Sequence, residues 1–147
     1  MATSSALETL IELATNATDE AAKRLGAALR AATETEQKLE MLKQYRDDYT
    51  ARFHGALQGG LSPAAYRNFQ QFLDKLDAAI DGQQQIVAAA QRRIEVERSA
   101  WQASEKKRMS YDTLATRARK VQEQKEARRD QKQTDEVAMR KAYSKPR

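Results

Sequence analysis

The chain of 147 residues contains no cysteine, one histidine, two prolines, five glycines and only 6% aromatic residues. Without cysteine there is no disulfide scaffold, no thiol catalysis and no cysteine-based zinc site. With His54 as the sole histidine, a multi-histidine metal site is excluded. With so little proline and glycine, most of the chain has nothing to interrupt a helix. Apolar residues make up 40% of the sequence, and alanine is their largest share. That is too little bulk for a compact globular core, but enough for a thin seam between long helices.

Long hydrophobic runs are missing as well. The longest stretch free of charge, 53–66, is 14 residues and is broken by Gly59, Gly60 and Pro63. A membrane-spanning helix needs ~20 apolar residues. No basic residue precedes Lys23, so the N-terminus lacks the basic start of a secretory signal. The expectation is a soluble, cytoplasmic protein. Catalytic signals are also absent. Gly59-Gly60 is not followed by the Gly-Lys-Ser/Thr of a phosphate loop. The carboxylates Asp47-Asp48 and Asp74/Asp77/Asp81 are expected on exposed faces, with no enclosed pocket to shift their pKa. His54 is expected at the surface beside a turn. The chain reads as a non-enzyme that needs no metal and no cofactor.

One cluster of helix-breaking residues is present: Gln58-Gly59-Gly60-Leu61-Ser62-Pro63. The glycines can end a helix, Ser62 can cap the next, and Pro63 suits its first position. Ser5-Ala6-Leu7-Glu8 has the spacing of a capping box. These signals predict helix one over about 5–57, a turn at 58–62, and helix two over about 63–141, with Pro146 ending the helical potential. Gly26 and Gly82 fall inside helical runs, as bends or close helix contacts.

The apolar period sets the architecture. From Leu7 to Ala56, alternating steps of four and three residues meet fifteen positions, of which all but Thr18, Thr35 and Arg46 are apolar. The same stepping in helix two runs from Tyr66 to Ala118. Only Gln83 breaks it before Glu97, and beyond Glu97 it weakens. A sustained 3.5-residue period is the signature of a left-handed coiled coil. A short turn between the helices makes the pair antiparallel. The fold class is therefore all-α: two long helices forming an antiparallel coiled-coil hairpin with a C-terminal helical overhang, a single coiled-coil domain over 1–147. Residue i should face roughly residue 120 − i, so the chain after about 115 overhangs the N-terminus. Trp101 should then face Ala17 and Ala21, large against small.

The overhang has its own chemistry. Residues 1–104 carry 12 basic and 14 acidic side chains, whereas residues 105–147 carry 14 and 7. All of the net charge of +5 therefore comes from the C-terminal arm. Apolar residues are sparse after Val121, so the isolated arm is expected to fray and to await an acidic partner.

Six aromatics flank the turn: Tyr45, Tyr49, Phe53, Tyr66, Phe69 and Phe72. Tyr49, Phe53, Tyr66 and Phe69 are expected to fill the hairpin tip. Tyr45 and Phe72 fall off the seam yet lie close to one another in the antiparallel register, near Leu42, Leu76 and Ala79. An apolar patch at the edge of a two-stranded coiled coil reads as a docking surface.

Several stretches resemble those of the flagellar FliJ family, the small coiled-coil components of the flagellar type III export apparatus. They are Met41–Tyr49 (MLKQYRDDY), Asn68–Ile80 (NFQQFLDKLDAAI), Trp101 followed by Lys106-Lys107-Arg108, Leu114 and Arg117, and Asp130–Arg140 (DQKQTDEVAMR). The resemblance implies a role in flagellum assembly as a stalk-like coiled coil. Its partners would be the hexameric export ATPase, the membrane export gate protein FlhA, and export chaperones. The gate contact would fall on Leu42, Tyr45, Tyr49, Phe72, Leu76 and Ala79. Lys38 and Gln83, at the edges of that patch, depart from the family's pattern. The ATPase ring would receive Leu7, Leu10, Arg117, Arg128, Asp130, Lys132, Asp135, Glu136 and Arg140. The resemblance also implies a monomer in isolation, held at the cytoplasmic face of the inner membrane only through partners.

Two other readings stay open on the residues alone. One is a structural homo-oligomeric coiled coil whose tip aromatics pair between chains. The other is a basic coiled coil that binds nucleic acid. Against the latter, the arm interleaves acids with bases, whereas phosphate tracking favours unbroken basic stripes.

Overall fold

The computed structural model describes residues 2–144, with side chains from Ser5 onward. It contains two helices, α1 (Ala2–Gln58) and α2 (Pro63–Ser144), of 57 and 82 residues, and no strand among the described residues. The turn is built as its residues require. Gly60 adopts φ +89°, a conformation open to glycine without steric cost. Its N–H donates to the Leu57 carbonyl at 3.2 Å, closing the end of α1. Ser62 Oγ accepts from the Ala65 N–H at 3.2 Å, which makes it the N-cap of α2 with Pro63 in the first helical position.

The capping box expected at Ser5 does not form. Helix α1 already runs from Ala2, and the Ser5 carbonyl accepts from Thr9 Oγ1 within the helix. Nothing in Ala2–Ser4 breaks a helix, so there is no boundary at Ser5 to cap. Pro146 lies outside the described residues. Helix α2 continues to Ser144, a little past the expected end at about 141. Its Ala, Gln, Lys, Arg and Glu residues are strong helix formers. Gln122–Glu126 and Gln131–Asp135 side-chain bonds one turn apart add to them.

The chain divides into two compact units, one of Asp19–Gln102 and one joining the chain up to Thr18 with the chain from Ala103 onward. In the first unit the helices run antiparallel. Ala28 and Ala32 of α1 pack with Ile94 of α2, and Leu25 and Ala90 close around them. Aromatic contacts between the helices join Phe53 to Tyr66, Tyr49 to Phe69, and Tyr45 to Phe72. These partners follow the expected register. In the second unit Ala14 and Thr18 are buried, and α2 keeps half-buried positions only as far as Ala115. From Thr116 to Ser144 every residue is exposed.

The 3.5-residue stepping marks the seam correctly on both helices. Every stepped position from Leu7 to Ala56 is buried or half-buried, and so is every one from Phe69 to Ala115. Tyr66 and Ala118, the two ends of the second series, are exposed. Ala17, expected opposite Trp101, is exposed too, whereas Ala21 is fully buried at 0%.

Several polar residues on the seam find partners. Thr18 Oγ1 donates to the Ala14 carbonyl at 2.9 Å, and Thr35 Oγ1 to that of Ala32 at 2.7 Å. Gln83 Nε2 crosses to the Thr35 carbonyl at 3.0 Å. The buried Glu97 carboxylate lies 2.8 Å from Arg93 on its own helix and 3.4 Å from Arg24 on the other. Unpaired, each would carry a desolvation penalty.

Gly82 makes no close helix contact: a Cβ there would meet nothing within 4 Å. Beside Gly26 a Cβ would meet only Arg30 Nη1, at 3.4 Å on the same helix. Gly82→Ala should therefore raise the unfolding free energy by about 1 kcal/mol, because it gains helix propensity at no steric cost. Gly60→Ala should lower it by a similar amount, ~1 kcal/mol, since an L side chain is strained at that φ. Urea unfolding followed by circular dichroism at 222 nm measures both.

Candidate functional site

Two sets of residues carry the functional expectations, and each falls within one unit. The first set is the aromatic patch in Asp19–Gln102. Phe53 forms its base at 6% exposure, with its ring 5.5 Å from that of Tyr66 and 5.2 Å from that of Phe69. Tyr49 stacks at 5.1 Å on Phe69 and 4.5 Å on Phe72. Tyr45 meets Phe72 edge-on at 6.2 Å. These spacings lie in the favourable range for aromatic pairs. Tyr66, expected in the tip core, is exposed, because it stands one turn from the start of α2 with no chain beyond to cover it.

Within the candidate gate-binding set, the rings of Tyr45, Tyr49 and Phe72 come together. Leu42 lies half-buried one turn before Tyr45 and two turns before Tyr49. Leu76 is buried at 7% and belongs to the seam, so it supports the patch from beneath. Tyr45, at 49% exposure, and the exposed Ala79 are the parts that solvent reaches most.

One feature of this region is invisible in the apolar period. Asp77 was expected on an exposed face with Asp74 and Asp81, yet it is half-buried and paired across the helices with Arg46. Arg46 Nε lies 2.5 Å from Asp77 Oδ1, and Nη2 lies 3.5 Å from Oδ2. The Arg46 hydrogen bond holds the Asp77 carboxyl below its ordinary value, and the same bond raises the Arg46 guanidinium. The only legible signal for the pair is a basic residue on the seam at a position matching an acid one step off it.

The second set lies in the other unit. Leu7 is half-buried and Leu10 exposed, whereas Arg117, Arg128, Asp130, Lys132, Asp135, Glu136 and Arg140 are all exposed. Just before the arm, Arg108 bridges Glu105, at 2.5 Å, and Asp112, at 3.0 Å. The Arg108 hydrogen bond also holds Glu105 below its ordinary value.

Acids and bases alternate along the arm's sequence, and the helix sorts them only in part. Arg117, Val121, Lys125, Arg128 and Lys132 recur at steps of three and four and so share one face. Glu123, Glu126 and Asp130 recur in the same way on a nearly opposite face. Arg119 falls on that acidic side, and Asp135 and Glu136 fall beside the basic row, so the arm's surface stays mixed.

Among the described residues no group of three or more His, Cys, Asp or Glu could hold a metal ion. No described helix is long and apolar enough to cross a membrane. His54 is exposed, 6.0 Å from the Phe53 ring.

Two long helices joined by a tight turn, with a continuous 3.5-residue seam, define a two-helix coiled-coil protein. A family model described as Flagellar FliJ protein matches residues 3–147. The chain is 31% identical over 146 residues to the flagellar FliJ protein of Salmonella typhi and 30% identical over 146 residues to that of Escherichia coli strain K12. In both cases 99% of each chain is covered. The chain belongs to the flagellar FliJ family. A solved YscO homolog from Chlamydia trachomatis shares the fold, with a TM-score of 0.72 at 14% identity, over 95% of this chain and 90% of that one.

The ion pair gives a direct test of the site's electrostatics. A carboxylate whose folded pKa is depressed contributes stability above its unfolded value, about 3.9 for Asp, and loses it as pH falls through the folded value. The Asp77 carboxyl carbon should therefore titrate by NMR with a midpoint below about 3.9. In Arg46→Gln the midpoint should rise toward that value.

Proposed function

We propose that this chain works as a stalk-like adaptor in flagellar export, with one end for the hexameric export ATPase and the other for the membrane export gate. Membership of the flagellar FliJ family makes it a component of flagellar assembly and protein export. The observation that carries the finer reading is the arm: 29 consecutive residues, 116–144, stay helical and wholly exposed. A helix this long with no side of it covered offers its whole circumference to a surrounding partner. Its surface is charged rather than apolar, so it can lie against a ring without locking to it.

The first turns of α1, with Leu7 and Leu10, stand beside the arm's root in the same unit. They would enter the ring with Arg117, Arg128, Asp130, Lys132, Asp135, Glu136 and Arg140. The aromatic patch, centred on Tyr45 and Phe72, would bind the gate protein FlhA. Export chaperones would be further partners. Membrane association, on this reading, comes through partners alone, and the free chain is a monomer.

Two observations argue against the nucleic-acid alternative: acids stay mixed with bases around the arm, and the chain belongs to a flagellar export family.

Truncation after Ala118 should lower affinity for the export ATPase by about tenfold or more in a binding titration, while undiminished affinity would overturn the ATPase assignment. Replacing Lys125, Arg128 and Lys132 by glutamate should weaken that binding and flatten its salt dependence. Tyr45→Ala combined with Phe72→Ala should weaken binding to the cytoplasmic part of the gate about tenfold and leave ATPase binding intact. A parallel loss of both would mean that the double variant had damaged the hairpin.

A further inference from the structure

We infer that the Arg46–Asp77 ion pair is the positioning element of the aromatic patch: it fixes the register of the two helices so that Tyr45 and Phe72 stay side by side. This deepens the gate-binding reading above and rests on it.

The placement follows from helical geometry. At 100° per residue, Tyr45 and Phe72 stand on one flank of the seam. Asp77 stands on the other flank, and Arg46 reaches it from the seam itself. The pair therefore ties the helices together from behind, opposite the surface a partner would meet.

The aromatic stack holds Tyr45 less firmly than Tyr49. Tyr49 sits between Phe69 and Phe72, which are about one turn apart on α2, and a ring seated between two successive turns resists slip. Tyr45 makes a single, edge-on contact with Phe72 at 6.2 Å, the longest ring spacing in the stack. It is the contact most easily lost when the helices slide. A planar guanidinium on a carboxylate is much less tolerant, because its two N–H groups must meet two oxygens. A shift of one residue moves a helix by 1.5 Å, which is enough to break the fork.

The pair is also well suited to position rather than to stabilise. Its side chains are 38% and 48% exposed, and exposed pairs contribute little to folding. Its loss should loosen the patch without unfolding the chain.

The test uses the full-length chain in three forms: Asp77→Asn, which keeps the side-chain shape, Arg46→Gln, and the swap of Arg46→Asp with Asp77→Arg. Two readouts are taken. One is affinity for the cytoplasmic part of the export gate. The other is the ring–ring nuclear Overhauser effect between Tyr45 and Phe72. Each single variant should lower gate affinity about tenfold and weaken the ring–ring signal, with helix content and ATPase binding unchanged. The swap should recover most of both losses.

Wild-type gate affinity and an unaltered ring–ring signal in Asp77→Asn would overturn the inference. So would a swap that keeps wild-type melting without regaining the ring–ring signal. If the ring–ring signal responds as expected but Tyr45→Ala with Phe72→Ala leaves gate affinity unchanged, the positioning role stands and the gate reading fails.

Discussion

An alanine-lined seam lets two helices approach closely but says little about where along one another they should stop. Alanine has no shape to interlock, so its contacts change little when a helix slides by a turn. In Asp19–Gln102 the buried α1 positions away from the tip are Ala21, Ala28 and Ala32, and the last two pack with the larger Ile94 of α2. Register must therefore come from elsewhere. It comes from directional contacts: Gln83 to the Thr35 carbonyl, Arg24 to Glu97, and Arg46 to Asp77. The residues that break the hydrophobic period are thus the ones that give the period its alignment. Buried polar groups used to specify register rather than stability are well attested in coiled coils.

The same economy explains the two kinds of functional surface. A two-stranded coiled coil buries only a narrow stripe, so bulky side chains beside the stripe stay partly exposed. Tyr45 and Phe72 are such residues, and they form a rigid aromatic edge of the kind that partners use as an anchor. The arm reaches exposure differently, because among the described residues no part of α1 lies alongside it. There the chain changes from an alanine seam to charged helix formers. In a flagellar export component, one surface is apolar and shaped while the other is charged and accessible from all sides.

Much of this was legible from sequence. The turn at 59–62, the helix pair, the 3.5-residue seam and the antiparallel register all follow from local rules, in which glycine, proline and apolar spacing act over a few residues. The proximity of Tyr45 and Phe72 was legible for the same reason, since a regular hairpin turns residue numbers into distances. The expected cap at Ser5 failed because a capping signal matters only where the chain leaves the helix, and this chain does not leave it there. The exposure of Tyr66 was not readable from the period, which fixes the facing side but not how deeply a side chain is covered.

The sequence by itself determined that the protein is helical, paired and hinged at one turn, because those properties depend on torsion preferences and on a repeat that every residue reports. Only the tertiary structure decided which polar residues found partners. Arg46 and Asp77 lie 31 residues apart, and the period places Asp77 beside the seam without saying what it meets. The pairing was made by the rotation of one helix against the other, a quantity that exists only once both helices have packed.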